Sequence, residues 1–356
     1  MITHQININT NLNIKNLILA IGNFDGVHLG HQTIIQKCIN IAKKNKLVTG
    51  VLTFYPHPRQ LITGNKQINM IFDYNKKIEE LKKLNITYLF VLQFDKKIQN
   101  MHYDTFIQEI LIKKFQIKGL VTGYNFLFGK DRVGNYKVLQ KAANKYQFIY
   151  QFVDESSNIF TDISSTKIRY LLSKGMIEAA NEMLGKKYYI IGQVTYGKML
   201  ARTFGFKTAN ITLKNNYLYP LHGVYLVKIT IRYIQYFGIA NIGLRPTVQN
   251  NNFVEKITKL QQGLENSFIT KYFSLFQRFK KSNFLKQQLI LETHIFKFDH
   301  NIYKEDIKVE FLNFIRPERE FKSYQALKYQ IKKDIQDCLY ILKIYSSSVL
   351  KKNYEQ

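Results

Sequence analysis

The sequence predicts an α/β domain followed by a β domain: a doubly wound parallel sheet, then a small antiparallel β-barrel with a C-terminal helix. Three observations support this fold class. Short apolar runs alternate with helix-like segments in the first half of the chain. After Gly185, apolar runs follow one another with turn residues between them, which is typical of a barrel. The chain then ends in a segment with one apolar stripe at helical spacing, from Leu327 to Leu342.

Each half has its own predicted elements. Strands in the first half are expected at Leu17–Ile21, Val48–Phe54, Tyr88–Leu92, Leu120–Gly123 and Phe148–Phe152. Helices are expected near Gln32–Lys44, Tyr74–Leu84, Tyr103–Phe115, Tyr136–Tyr146, Ser165–Leu172 and Ile177–Leu184. The second half is expected to hold strands at Tyr188–Val194, Gly223–Ile231, Tyr236–Asn241, Leu289–Phe296 and Ile307–Phe314, and a helix at about Tyr324–Tyr345. The predicted domains are residues 1–184 and 185–346, with a polar insertion at about 249–288 and a tail at 347–356.

Composition excludes several classes of protein. The 356 residues are 46% hydrophobic and 14% aromatic, which is enough for packed cores and typical of a globular protein. No window approaches about 18 consecutive apolar residues, and the N-terminus does not resemble a secretory signal, so no membrane partner is expected. Cys38 and Cys338 are too few for a disulfide framework or a cysteine metal site, and a cytoplasmic location is expected.

The net charge of +27 has two interpretations. A strongly basic chain can bind nucleic acid. However, the positive charge is spread over both halves, and Lys, Asn, Ile and Tyr are abundant in the pattern that an AT-rich genome imposes. This distribution favours compositional drift together with anionic small-molecule substrates, and nucleic-acid binding remains an alternative. The oligomeric state is left open.

Residues 22–31, GNFDGVHLGH, predict a nucleotide-phosphate site. They follow an apolar strand and precede a helix, and Gly22, Gly26 and Gly30 allow a sharp turn close to a ligand. The start of the helix offers unpaired N–H groups and a partial positive charge to an anion. His28 and His31 are three residues apart, so both can face the same phosphate. The alternative is a tight turn with two surface histidines.

A second candidate phosphate motif is ISSTKIR, at residues 163–169. Hydroxyls at a helix start can bind phosphate or cap the helix, and Arg169 could reach the same anion. Alone, this pattern favours an ordinary helix cap with a solvated arginine, and its pairing with the histidine turn on a wound sheet favours the phosphate site instead. Residues 22–31, 55–58 and 123–129 each follow a predicted strand of one parallel sheet, and ligands bind beyond the carboxyl ends of such strands, so we expect these segments to converge on one crevice. The Ser/Arg helix start is expected to share that cavity with the histidines.

These two motifs resemble those of adenylyltransferases with a GxFDxxHxGH turn and an ISSTxxR helix start. Further segments extend the resemblance in order: FYPHP at 54–58, GYNFLFGKDRVG at 123–134, GKMLARTFGFKTAN at 197–210, GVY at 223–225, NIGLRPT at 241–247, LETH at 291–294 and IRPE at 315–318. Over roughly residues 15–342, apart from the insertion, the chain resembles the bacterial bifunctional riboflavin kinase/FAD synthetase family.

For the first half, the resemblance implies a Rossmann-like nucleotidylyltransferase domain that transfers AMP from ATP to FMN. His28 and His31 would be catalytic, and Asp25 would orient the turn or a histidine. The implied ATP-binding residues are Gly22, Phe24, Asp25, His28, His31, Asn125, Ser164, Ser165, Thr166 and Arg169. The implied FMN-binding residues are Phe54, Pro56, Pro58 and Asn125.

For the second half, the resemblance implies a barrel that phosphorylates riboflavin with ATP and Mg²⁺. Glu292 would be the general base, and Thr208 and Asn210 would be metal ligands. The implied phosphate loop consists of Gly197, Arg202, Gly205, Thr208 and Asn210. Without the flanking matches, Thr208 and Asn210 would be a hairpin turn, and Glu292 a solvated carboxylate on a strand.

This half also departs from the family pattern. Ala201 stands where the pattern has glycine, and Lys207 where it has proline. The insertion directly precedes the strand that carries Glu292. The alternative function is therefore FMN adenylylation alone, with a degenerate kinase half.

Overall fold

The computed structural model describes residues 1–62, 69–154, 163–195, 208–213, 217–246, 287–321 and 323–354. The chain forms two compact units. The first contains Met1–Tyr188 and Asn216–Pro220, and the second contains Tyr189–Asn215 and Leu221–Gln356. The short segment that ends at Pro220 contacts the rest of the first unit in two ways. Met70 and Tyr217 form a β-bridge, and the Tyr188 hydroxyl donates to the Leu218 carbonyl at 2.6 Å.

A parallel sheet forms the centre of the first unit. Its strands are β1 (Ile2–Ile6), β2 (Leu17–Ile21), β3 (Val48–Tyr55), β4 (Tyr88–Gln93), β5 (Gly119–Gly123) and β6 (Ile149–Val153). They lie in the order β1-β4-β3-β2-β5-β6, and every neighbouring pair is parallel. The predicted wound sheet is confirmed. The edge strand β1 was not predicted, because it is mostly exposed and lacks a continuous apolar run.

Helices cover both faces of the sheet. They are α1 (Leu29–Asn45), α2 (Pro58–Ile62), α3 (Tyr74–Lys82), α4 (Lys96–Gln99), α5 (Tyr103–Thr105), α6 (Tyr136–Tyr146), α7 (Ser165–Ser173) and α8 (Ile177–Leu184). A π-helix at Phe106–Lys114 continues α5, and a 3₁₀ turn spans Lys130–Arg132. Ile18 packs with α1 and α3, whereas its neighbour Leu19 packs with the π-helix and α6 on the other face. Burial on both faces explains why these strands are continuous apolar runs.

The strand order creates a crevice beside β2. The chain passes from β2 to β3 on one side and later places β5 on the other side. The connections that leave β2 and β5 therefore run in opposite directions, which opens a ligand site beyond their carboxyl ends. The turn at residues 22–31 follows β2, and the GYNFLFG segment follows β5.

The second unit is a closed antiparallel barrel. Its strands are β7 (Tyr189–Thr195), β8 (Thr208–Thr212), β9 (Gly223–Ile231), β10 (Ile234–Pro246), β11 (Gln287–Ile295) and β12 (Asp306–Pro317), in the order β10-β11-β8-β7-β12-β9. This confirms the predicted barrel, although β8 was missed as a strand. Residues 249–286 of the predicted insertion lie outside the described residues.

The chain ends in α9 (Tyr324–Tyr354), which is longer than predicted. Its buried Cys338 packs in an apolar cluster with Val224, Leu226 and Leu312 of the barrel. Within the described ranges, no helix combines the length and apolar character needed to cross a lipid bilayer.

Candidate active site

A cavity of about 1000 Å³ lies in the first unit and joins both candidate phosphate motifs. It is lined by these residues of the predicted set: Gly22, Phe24, His28, His31, Phe54, Pro58, Asn125, Ser164, Ser165, Thr166 and Arg169. The expected shared crevice is therefore present. Two residues of the set are placed differently, because Asp25 is buried behind the wall and Pro56 does not reach the lining.

The turn at residues 22–31 is a strained loop. Phe24, Gly26 and Val27 all have left-handed φ angles, of 50°, 80° and 43°. Of the three glycines, Gly26 is the one with such a φ, and an added Cβ there would lie 3.1 Å from the Ile71 side chain. Strain at non-glycine residues persists only where surrounding contacts over-determine the backbone.

Side chains from distant parts of the first unit hold this turn. The Val27 carbonyl accepts hydrogen bonds from Gln32 Nε2 at 3.0 Å and from Lys186 Nζ at 3.1 Å. Lys186 also pairs with the buried carboxylate of Glu80 at 2.8 Å. Lys186 directly follows Gly185, the left-handed C-cap of α8, so the end of this helix places the lysine.

His28 and His31 form a stacked pair at the start of α1. Their ring centroids are 3.6 Å apart, and the planes differ by 19°. His28 is the N-cap of α1, and its Nδ1 accepts a hydrogen bond from the backbone N–H of His31 at 3.3 Å. Because Nδ1 accepts, the proton of the neutral ring belongs on Nε2, which can donate to a ligand.

Both histidines are neutral at neutral pH in the free protein. Burial lowers the pKa of His28 to about 3, and the positive charges of Lys186 and Arg169 lower it further. Burial also places the pKa of His31 well below its usual value, and repulsion from His28, when that ring is protonated, and from Lys186 acts in the same direction. His31 Nδ1 is buried and has no hydrogen-bond partner within the described structure. A bound polyanion would favour the charged imidazoles and raise both pKa values.

Asp25 connects the two phosphate motifs. Its carboxylate accepts hydrogen bonds from the backbone N–H of Ile71 at 3.1 Å and of Phe72 at 3.4 Å, and pairs with Arg169 Nη2 at 2.5 Å. Burial raises the pKa of Asp25, while the Arg169 charge and the two N–H donors oppose that rise. Asp25 thus orients Arg169 instead of facing the ligand.

The ISSTKIR segment begins α7 as predicted. The Ser164 hydroxyl caps the helix by accepting from the Lys167 N–H at 3.2 Å. The Ser165 hydroxyl donates to the Asp25 carbonyl at 3.1 Å, so α7 and the turn are joined directly. The helix start and Arg169 therefore face the same cavity as the histidines.

The other end of the cavity is aromatic. Phe94 packs edge-on against the predicted Phe54 at 5.9 Å, and Phe106 and Phe128 lie 5.5 Å apart. Flat apolar walls of this kind suit a large planar ring. Phe94, Phe106 and Phe128 were not predicted as site residues, although Phe128 lies inside the GYNFLFG motif. His57, which lines the cavity within FYPHP, was not predicted either.

In the barrel, three candidate kinase residues lie on one face of adjacent strands. Asn210 of β8 is directly opposite Glu292 of β11, and Thr208 precedes Asn210 by two residues on the same strand. The intervening Ala209 and its partner Thr293 belong to the opposite face, because successive side chains of a strand alternate. Thr208 and Asn210 are thus residues of a strand and do not form the hairpin turn that was the alternative.

The surroundings of the Asn210 side chain bear on the metal role predicted for this residue. Asn210 Oδ1 is buried and has no hydrogen-bond partner among the described residues, which is unusual for an amide oxygen unless a ligand satisfies it. Such an oxygen suits a hard cation. The described residues contain no cluster of three or more His, Cys, Asp or Glu side chains that could hold a metal. Gly197, Arg202 and Gly205 of the predicted phosphate loop lie outside the described residues, as do Ala201 and Lys207.

A wound parallel sheet with a histidine pair and a capped helix at its switch point, followed by a closed barrel, defines a two-domain nucleotide-dependent transferase. The family model for FAD synthetase matches residues 11–167, and the model for riboflavin kinase matches residues 184–342. The chain therefore belongs to the bifunctional riboflavin kinase/FMN adenylyltransferase family.

Several relatives bear that family name. The protein of Haemophilus influenzae is 35% identical over 92% of this chain and 95% of its own length. The Buchnera aphidicola (Schizaphis graminum) protein is 34% identical over 90% of this chain and 93% of its own length. The Bacillus subtilis protein is 32% identical over 90% of this chain and 91% of its own length. A crystal structure described as a macrolide-efflux protein from Streptococcus pneumoniae has a TM-score of 0.76 at 25% identity, covering 94% of this chain and 98% of that one.

Proposed function

We propose that this bifunctional enzyme adenylylates FMN in the cavity of the first unit and phosphorylates riboflavin on the β8–β11 face of the barrel. ATP is the donor in both reactions. The observation that carries the first assignment is the single cavity that joins the histidine pair, the α7 start and an aromatic end. The second assignment rests on the register of Glu292 with Asn210.

In the adenylyl transfer, a phosphate oxygen of FMN attacks the α-phosphorus of ATP. The bond from that phosphorus to the bridging oxygen of the β-phosphate breaks, and pyrophosphate leaves. The protein aligns the two substrates and stabilises charge on the phosphoryl oxygens. We assign this to His28, His31, the first N–H groups of α1, and Arg169 held by Asp25. Asn125 and the hydroxyls of Ser164, Ser165 and Thr166 complete the ATP-binding set.

The flavin ring of FMN occupies the aromatic end of the cavity. Phe54 and Pro58 contribute to this wall, together with Phe94, Phe106 and Phe128. Stacking on flat apolar side chains excludes water from the ring and leaves the phosphate of FMN directed toward the histidines.

In the kinase reaction, Glu292 accepts the proton of the terminal ribityl hydroxyl of riboflavin. The hydroxyl oxygen then attacks the γ-phosphorus of ATP, and ADP leaves. Thr208 and Asn210 are the oxygen ligands assigned to Mg²⁺, which when bound neutralises negative charge on the ATP phosphates. The buried Asn210 Oδ1 supports this assignment.

One assay separates this proposal from the alternative of a degenerate kinase half. The purified chain is incubated with ATP and Mg²⁺ and with either riboflavin or FMN, and the flavins are separated by chromatography. We expect FMN and FAD from riboflavin, and FAD from FMN. Formation of FAD from supplied FMN, with no product formed from riboflavin, would support the alternative. That alternative is motivated by Ala201 and Lys207.

We also propose a cytoplasmic location and small-molecule substrates instead of nucleic acid. Cys38 and Cys338 are both buried free thiols, which suits a reducing compartment. Binding to DNA or RNA that weakens steeply with salt, in a protein without flavin turnover, would contradict the substrate assignment.

A further inference from the structure

A buried lysine, Lys77 of α3, lies behind the turn that carries the histidine pair. Lys77 is 7% exposed, and its Nζ donates a hydrogen bond to Thr53 Oγ1 at 3.2 Å. The Thr53 hydroxyl in turn donates to the Asn23 carbonyl at 3.1 Å, and Lys77 Nζ lies 3.5 Å from the same oxygen. Asn23 lines the cavity and belongs to the GNFDGVHLGH turn.

The charge of Lys77 faces groups from three other parts of the site. Its electrostatic partners are Asp25 of the turn, His31 of α1 and His57 of the segment after β3. Arg169 of α7 acts on the same three groups. Lys77 of α3 and Arg169 of α7 therefore both act on the buried Asp25 carboxylate. This carboxylate lies beside the part of the cavity that the two phosphate motifs line.

The folding stability of the chain does not explain why a lysine is buried at this position. Burial lowers the pKa of Lys77 to about 8, and the Asp25 charge only partly opposes that shift. The unfolded chain therefore binds more protons than the folded chain between about pH 8 and the usual lysine pKa of 10.5. The contribution of Lys77 to stability falls as the pH decreases through this window and stays low below it. An apolar side chain would avoid this cost, and the Asn23 carbonyl would keep its hydrogen bond from Thr53.

We infer that Lys77 is a positioning residue for adenylyl transfer, which fixes the Asn23 turn through Thr53 and supplies a buried positive charge behind the phosphate end of the cavity. This inference rests on the proposed function. A fixed charge in a water-poor site stabilises developing charge on phosphoryl oxygens without reorganising during the reaction. The effect is expected on kcat more than on the binding of ATP.

The test compares Lys77→Met with wild type and with Lys82→Met, which removes an exposed lysine from the same helix. The measured quantities are kcat and KM for FMN adenylylation, and riboflavin phosphorylation by the same preparation. We expect Lys77→Met to lower the adenylylation kcat by about 30-fold, with KM for ATP changed less than about 3-fold. Riboflavin phosphorylation and thermal stability should be retained, and Lys82→Met should match wild type.

The pH profile adds a readout that a purely structural role would not move. In wild type, kcat/KM for adenylylation, which reports protonation in the free protein, should fall as the pH rises through about 8, because the lysine loses its charge. Lys77→Met should lack this alkaline limb. Should Lys77→Met not fold, Thr53→Val tests the same contact with a side chain of equal shape and should lower kcat in the same direction.

The outcomes are distinct. An active wild type with an unchanged kcat in Lys77→Met, or the same alkaline limb in both proteins, overturns the inference alone. A folded Thr53→Val variant with an unchanged kcat also overturns it. A wild type that makes no FAD from FMN overturns the proposed function and this inference together.

Discussion

Among single residues, His28 has two roles that depend on its two ring nitrogens. Nδ1 caps α1, and Nε2 carries the proton that can be offered to a phosphate. The same residue thus begins the helix and contributes to the site that the helix start creates. Its neutral state in the free protein follows from burial among cations, which disfavours a further positive charge.

This burial makes the stability of the first unit depend on pH. The pKa of His28 is about 3 in the folded chain and 6.5 in its unperturbed state. The unfolded chain therefore binds more protons between these values, and stability is lost as the pH falls below 6.5. From pH 7 to pH 5, we expect the wild type to lose about 2 kcal/mol more unfolding free energy than His28→Gln. Urea denaturation of both proteins at the two pH values measures this difference, and equal losses would contradict the assigned pKa.

Residue types at the site could be predicted from the sequence, but several of their roles could not. His28, His31, Ser164 and Arg169 adjoin elements with clear patterns, and all four line the cavity. Asp25 was placed among the ATP ligands because it lies in the turn. Its contact with Arg169, 144 residues away in the chain, depends on tertiary packing that no local pattern encodes.

Secondary-structure elements could be predicted from the sequence where their apolar pattern is strong. The central strands β2 and β5 are buried at every residue and were predicted nearly to their ends. The edge strand β1 and the five-residue β8 have weaker apolar patterns, and both were missed. The wall residue Phe106 begins a π-helix, and a periodicity of 3.6 residues does not reveal which of its side chains enter the cavity.

An ion pair between β12 and α9 helps to hold the terminal helix against the barrel. Arg316 of β12 binds the Asp334 carboxylate of α9 through Nε at 2.9 Å and Nη2 at 2.7 Å. Asp334 is 2% exposed, so its removal leaves the Arg316 charge without a buried partner. We expect Asp334→Ala to reduce the stability of the docked helix by about 3 kcal/mol. Hydrogen exchange across α9 measures this loss.

The control for that variant is Asp337→Ala, which removes an exposed carboxylate from the same helix. Its exchange rates should stay close to those of wild type. Equal protection of α9 in wild type and Asp334→Ala would show that the apolar cluster around Cys338 alone holds the helix.

In the whole molecule, each proposed reaction has its residues within one compact unit. The adenylylation residues belong to the first unit, whereas Thr208, Asn210 and Glu292 belong to the second. The two family models divide the chain in the same order. On the proposed assignment, each reaction uses side chains of its own unit, so the two activities should be separable by substitution.

A crossed pair of variants tests this separation. The double variant His28→Ala/His31→Ala should lose FAD formation from FMN by at least about 100-fold, while riboflavin phosphorylation continues. Glu292→Gln preserves the shape of the side chain but removes the base, so FMN formation from riboflavin should fall by about 100-fold or more. FAD formation from supplied FMN should then be unchanged. His102→Ala, at an exposed histidine of the first unit, is the control for both assays. If either variant abolished both products while remaining folded, the two sites could not act independently, and the assignment of one reaction to each unit would be wrong.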